Sequence, residues 1–416
     1  MIPILRSDEP GSLARLERAQ RAQSAEAERT ARRIIDDVRR HGDTALIRLT
    51  RKFDSTDLRQ AGFTVSAEEM REARAAADRK VVAALRQAER NIRAAARLQL
   101  PRAWKSHRDG VRVGQLIRPL ERVACYVPGG RFPLPSTVLM SVIPAQVAGV
   151  KEIIITSPRP APSVLVASSL LGVQTVFRLG GAQAIAAFAY GTTSVPRADK
   201  IVGPGNRYVA AAKKLVAGDC GIDFAAGPSE LVVLGSKGNP KWIAADLVAQ
   251  AEHDPDASAV FITCSLQLAL RVQKAIAEAL ARLKLPLAEK SLARRGAIIF
   301  ARSMEQAIAL VNRLAPEHLT LLEDAASFVG RIESAGAIFA GSYSPVAAGD
   351  YASGGNHILP TAGAARQRGG LTSADFVKTI SFQQLNRSGL SRLRKSIVTL
   401  AETEGLRAHA WSVDAR

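Results

Sequence analysis

Cysteine is scarce: three residues, Cys125, Cys220 and Cys264, in a chain of 416. They are too few and too scattered to staple a fold, and no Cys-x-x-Cys pair offers a redox or zinc-ribbon motif. Aromatic residues make up only 5% of the chain, which leaves little to stack on nucleic-acid bases. Long apolar runs are missing too. Val138 to Val150 is interrupted by Ser141, Pro144 and Gln146, so no stretch reads as a bilayer span. Met1 to Pro10 carries charge too early for a secretory signal and lacks its apolar run. These absences predict a soluble cytoplasmic protein without disulfides.

What is present is globular material with an unusual charge. The chain is 47% hydrophobic and 23% charged, enough for more than one core, and its length suggests two or three domains. Lysine and arginine number 57 against 38 acids, a net charge of +19. That balance permits nucleic-acid or anionic-membrane binding. The cations are spread, however, with clumps only at Arg29 to Arg40 and Arg294 to Arg302. The reading is a solvated basic surface with no specific nucleic-acid partner.

The first hundred residues read as helices, one of them opened by a capping box of Ser66 and Glu69. From Arg122 the texture changes. Short β-branched runs at Val123 to Val127, Glu152 to Thr156, Thr175 to Arg178, Lys200 to Val202 and Leu231 to Leu234 alternate with helical stretches. A second series follows, with strands at Val260 to Thr263, Ala297 to Phe300, Leu319 to Leu322 and Ala337 to Phe339. Alternation of this kind predicts mostly parallel sheets covered on both faces, with ligands at the carboxyl ends of the strands. After Leu371 the pattern predicts a return to helix, with Leu390, Leu393, Ile397 and Leu400 on one apolar face and Gly405 as a stop.

Four of the six histidines lie in sequences that packing alone does not explain. Gln250 and His253 are three residues apart near a helix end, a spacing that puts both on one face. Imidazole is the commonest metal ligand and suits zinc, although such a pair also serves as a hydrogen-bonded cap. Glu317-His318 puts a carboxylate beside an imidazole directly before a strand, two groups suited to separate proton transfers. Gly349 to His357 is a polar, glycine-rich loop holding Asp350 and His357. Glu404 and His409 sit where the tail helix ends. Gly203-Pro204-Gly205-Asn206 lacks the third glycine of the dinucleotide fingerprint.

Taken in order, Tyr126 to Gly130, Gly180 to Ala184, Gly203 to Asn206, Gly227 to Glu230, Gln250 to Asp254, Pro316 to Leu319 and Gly349 to Pro360 resemble the histidinol dehydrogenase family. The similarity runs from about Ala31 to the carboxyl end. It implies zinc-dependent oxidation of L-histidinol to L-histidine through the aldehyde, reducing two NAD molecules, in the last steps of histidine biosynthesis. It also implies a homodimer with one zinc per active site. The matching zinc ligands are Gln250, His253, Asp350 and His409, the last shared across subunits. Glu317 and His318 match the catalytic acid–base pair. Ser229, His357 and Glu404, with His318 and the zinc ligands, match substrate contacts, and Tyr126, Gln183 and Asn206 line the NAD site.

The expected architecture is therefore α/β, with two Rossmann-like domains. A helical segment over 1–25 precedes a first domain of 26–121 and 231–370, which holds the zinc and acid–base residues. A second domain of 122–230 holds the NAD-lining residues, and a helical tail, 371–416, reaches the partner's site. Two features depart from the family pattern: a short amino terminus, and Arg131 to Leu134 after Gly130. The nearest rival is a paralogue oxidising another primary alcohol, such as a sulfonated diol. The carboxylate of Glu404 would attract the cationic amine of histidinol and repel a sulfonate.

Overall fold

A computed structural model describes residues 2–8, 25–129, 132–224 and 227–416. Among the described residues the strands begin with β1 Ile4–Arg6, β2 Trp104–Arg108, β3 Val111–Pro119, β4 Arg122–Tyr126, β5 Glu152–Thr156, β6 Thr175–Phe177 and β7 Lys200–Val202. They continue with β8 Gly221–Ile222, β9 Glu230–Leu234, β10 Ser258–Thr263, β11 Ala297–Phe300, β12 His318–Leu321, β13 Ala337–Ala340 and β14 Val377–Leu385. Six form a parallel sheet in the order β1-β11-β10-β9-β12-β13. Its central strand β9 is buried throughout, which is why Glu230–Leu234 reads as a near-continuous apolar run.

A second parallel sheet has the order β6-β5-β4-β7-β8. The chain starts at its middle strand, steps outward through β5 and β6, then crosses back to β7 and β8. That is the winding of a dinucleotide-binding sheet, and its switch point lies between β4 and β7. The mostly parallel α/β architecture is as the alternation predicts. No helix among the described residues is long and apolar enough to cross a membrane.

Three parts differ from the sequence reading. The segment after Leu371 is not all helix. Val377–Leu385 forms β14, which pairs antiparallel with β3, and β3 pairs with β2. The β2–β3 turn is Asp109-Gly110, both at positive φ (52° and 83°), the combination a tight two-residue hairpin favours. Helix resumes at Arg387–Thr403 and again at Arg407–Asp414.

The amino-terminal segment expected to be helical instead places Ile4 to Arg6 in β1, beside β11, and residues 9–24 lie outside the described residues. Residues 26–121, expected with 231–370, pack elsewhere. Ala25–Asp54 buries Ala31, Leu46 and Leu49 in one core with Ile185 and Phe188, on one face of the five-stranded sheet. Arg79–Leu98 buries Leu85 and Ile92 with Val138 and Ile155 on the other face. Their apolar stripes have the right period for a helix, but that period does not say which sheet they cover.

Candidate active site

Glu317 and His318 open strand β12 and are both buried, at 5% and 4% exposure. They stand at the amino edge of the six-stranded sheet, not at a carboxyl edge. The Glu317 carboxylate accepts the backbone N–H of Glu230 at 2.8 Å and lies 3.5 Å from His318 Nδ1. His318 Nδ1 also lies 3.2 Å from the Glu230 carbonyl, and its Nε2 lies 3.6 Å from the Asp350 carboxylate. Burial by itself pulls the imidazole down. Glu317 and then Asp350 outweigh that and push it up to about 10. Within the protein alone, two carboxylates favour the imidazolium.

Asp350 lies on the short helix Val346–Tyr351. Burial would raise its carboxyl, but the hydrogen bond to His318 and the positive charges of His318, His357 and His253 hold it below the usual carboxylate range. The Asp350 carbonyl bonds His357 Nδ1 at 2.9 Å, and His357 Nε2 meets Thr137 Oγ1 at 3.2 Å. Burial keeps His357 below the ordinary histidine value. Asn356 donates to the carbonyl of Met140 at 2.7 Å. Thr137 and Met140 belong to Pro135–Ala148, the helix that follows β4. The amino edge of one sheet therefore meets the helix leading from the switch point of the other.

Gln250 and His253 end the helix Pro240–Ala251 and lie just beyond it, respectively, and the N–H of His253 bonds the Gln250 carbonyl at 3.4 Å. Gln250 is 3% exposed, yet its Nε2 has no hydrogen-bond partner. His318 Nε2 is likewise buried without one. Orphaned polar atoms of this kind mark a place where a ligand is missing. Gln250, His253 and Asp350 offer one imidazole nitrogen and two hard oxygens, a set that fits a divalent cation such as zinc. Among the described residues no three His, Cys, Asp or Glu side chains gather as a metal group, since one donor of this set is a carboxamide and another, His409, lies on the tail. Ser229 lies half-buried directly before β9.

Glu404 and His409 are exposed on the tail, and no hydrogen bond or ion pair joins them to these residues. Their two helices are tied to each other by Arg394 and Asp414, 2.8 Å apart.

The residues expected to line a nucleotide stand at the carboxyl edge of the five-stranded sheet. Tyr126 ends β4, and its hydroxyl accepts the N–H of Gly181 at 3.1 Å; burial pushes the phenol up to about 12. Gln183 is 1% exposed and donates to Asp54 at 3.3 Å. Asn206 caps the helix Arg207–Val216, accepting from Tyr208 and Val209 at 3.0 and 3.2 Å. Gly203, at φ 114°, has no room for a side chain: a Cβ there would sit 2.1 Å from the Tyr126 carbonyl oxygen. Of the unusual stretch after Gly130, Arg131 lies outside the described residues.

This geometry accords with what the chain is similar to. The sequence profile of histidinol dehydrogenase matches residues 17–416. The chain belongs to the histidinol dehydrogenase family. It is 50% identical over 397 residues to the histidinol dehydrogenase of Syntrophotalea carbinolica, covering 94% of this chain and 92% of that protein. To that of Methanothermobacter thermautotrophicus it is 45% identical over 393 residues, 92% of each. The crystal structure of histidinol dehydrogenase from Elizabethkingia anophelis superposes with a TM-score of 0.93 at 34% identity, over 100% of this chain and 97% of that one.

Residues that sequence reasoning did not single out also support the site. Lys213, 1% exposed, donates to the Gly203 carbonyl at 2.9 Å and pairs with Asp223, which accepts the Gly203 N–H at 2.7 Å. One turn before Gln250, Asp246 makes no hydrogen bond or ion pair among the described residues, and burial pushes its carboxyl up to about 6. Its folded pKa lies above the ordinary 3.8, so folding loses stability as pH rises from about 4 to about 6 and does not regain it above. Asp246→Asn is therefore expected to stabilise the protein at pH 8 by about 2 kcal/mol, a few degrees of melting temperature, and to change little near pH 4. Thermal melts at the two pH values check this.

Proposed function

We propose that this chain oxidises L-histidinol to L-histidine, as the last steps of histidine biosynthesis, through two NAD-dependent oxidations at one site. The observation that carries the reading is the buried line Glu317–His318–Asp350, ending beside a Gln250 amide that has no partner. Gln250, His253 and Asp350, with His409 from a second copy, would hold zinc, which when bound supplies a Lewis-acidic centre for a substrate nitrogen. Support for the second copy comes from the tail, where Leu400, Leu406 and Trp411 are 63%, 43% and 71% exposed.

His318 takes the alcohol proton as hydride leaves the carbinol carbon for NAD. A cation held at Asp350 would cancel one of the two charges that favour imidazolium, which brings His318 toward the neutral form a base requires. Glu317, fixed by the Glu230 N–H, then draws a proton from water as it adds to the aldehyde. His318 takes the hydrate's hydroxyl proton as the second hydride leaves. Burial of Glu317 and His318 excludes bulk water from both steps and retains the aldehyde between them. Ser229, His357 and Glu404 hold the substrate, the last opposing the amine's positive charge. Tyr126, Gln183 and Asn206 line the nucleotide crevice at the switch point.

Stripping metal with a chelator is expected to lower turnover by roughly 100-fold or more, and added zinc to restore it. Full turnover in protein shown by elemental analysis to be metal-free would contradict the assignment.

A further inference from the structure

The five-stranded sheet begins at β4, so β5 is the second strand of its first strand–helix–strand unit. In sheets wound this way the end of the second strand meets the adenosine ribose. A carboxylate there accepts the 2′-hydroxyl, and an arginine accommodates a 2′-phosphate. Here β5 ends at Thr156 and runs into Ser157-Pro158-Arg159. An arginine stands in the region where an NAD-selective sheet usually carries an acid.

We propose that the carboxyl edge of β5 carries a phosphate subsite that lets this chain bind the 2′-phosphorylated dinucleotide, NADP, as well as NAD. The inference rests on the dinucleotide reading of this crevice given above. Its second leg is a built cavity of about 160 Å³, large enough for a phosphoryl group, lined by Ser157 and Arg159 together with Pro128, Gly129 and Phe132. Ser157 is fully buried, and its Oγ has no hydrogen-bond partner. A hydroxyl aimed into a cavity with its donor unused is a group waiting for an acceptor. Arg159 is exposed, makes no hydrogen bond or ion pair among the described residues, and acts by charge on Asp54. The Asp54 carboxylate is already bonded to Gln183 Nε2 at 3.3 Å, which leaves the guanidinium fork available.

The loop that presents these groups is held in place. A Cβ on Gly180 would come within 2.4 Å of Pro158, and one on Gly129 within 2.7 Å, so Pro158 is clamped between the loops after β6 and β4. The helix Pro162–Leu170 starts beside the cavity with no side-chain cap, and Ser163 Oγ is also buried without a partner. Positive charge, a free hydroxyl and an uncapped helix start converge where a ribose phosphate would lie.

Calorimetric titration of the full chain with ADP-ribose and with 2′-phospho-ADP-ribose tests the subsite without requiring turnover. The phosphorylated ligand is expected to bind at least as tightly as ADP-ribose. In Arg159→Ala the ratio of the two affinities should shift about tenfold or more toward ADP-ribose, with part of the shift reversed in Arg159→Lys. ADP-ribose binding about tenfold tighter in the unaltered protein, or an affinity ratio unchanged in Arg159→Ala, would overturn the proposal. Failure to bind either ligand would overturn it together with the nucleotide reading. A chain that shows the ratio but does not oxidise histidinol would lose the assigned substrate and keep the subsite.

Discussion

His318→Asn is expected to lower kcat for histidinol oxidation by about 10³-fold, the loss typical of removing a general base that acts in two successive transition states. No nearby group can take over. Its imidazole is almost fully buried between Glu317 and Asp350, and the second buried histidine, His357, is spent on the Asp350 carbonyl and Thr137. Asparagine retains a hydrogen-bonding group where His318 meets the Glu230 carbonyl, so the strand should remain folded. Circular dichroism checks the fold, and steady-state rates check the loss. A kcat within about tenfold of the unaltered protein would remove His318 from the proton transfers.

Lys213→Met is expected to cost about 3–5 kcal/mol of stability, because it leaves the Asp223 carboxylate buried without its cation. Burial already pulls the Lys213 ammonium below its usual value, with Asp223 as the opposing influence. The pair also fixes both backbone groups of Gly203, at the turn that crosses beneath the β4 carboxyl end. The melting temperature should therefore fall by roughly 10 °C. Adding Asp223→Asn should recover part of the fall, since the two sites share one interaction. A single variant that melts within about 2 °C of the unaltered chain would show that the pair contributes little.

Much of the fold was legible because parallel strands buried on both faces leave continuous β-branched runs. Glu152–Thr156 and Ala297–Phe300 form at the expected bounds. The antiparallel sheet was not legible in that way. β2 is exposed along its whole length, as Trp-Lys-Ser-His-Arg, so it carries no apolar alternation. Its one strong local signal was the Asp109-Gly110 pair, which a search for hairpin turns would have found. β14 has no stronger mark, since most of its side chains face solvent.

The site divides in the same manner. Glu317, His318, Asp350 and His357 stand out as polar residues in sequences that packing does not explain, and folding brings them together. Their position at an amino edge could not be read, because it depends on how two sheets meet through the loop after Val346–Tyr351. Lys213 had no signal at all. A lysine in an amphipathic helix reads as surface until the fold shows an aspartate buried beside it.

The central claim is that one site performs both oxidations. Its most direct test is NADH formed per L-histidinol consumed, with limiting substrate and zinc either present or chelated. The account predicts a ratio of about two with zinc and negligible NADH once the metal is removed, since each molecule passes through two hydride transfers. A ratio near one with zinc present, with aldehyde accumulating, would contradict it.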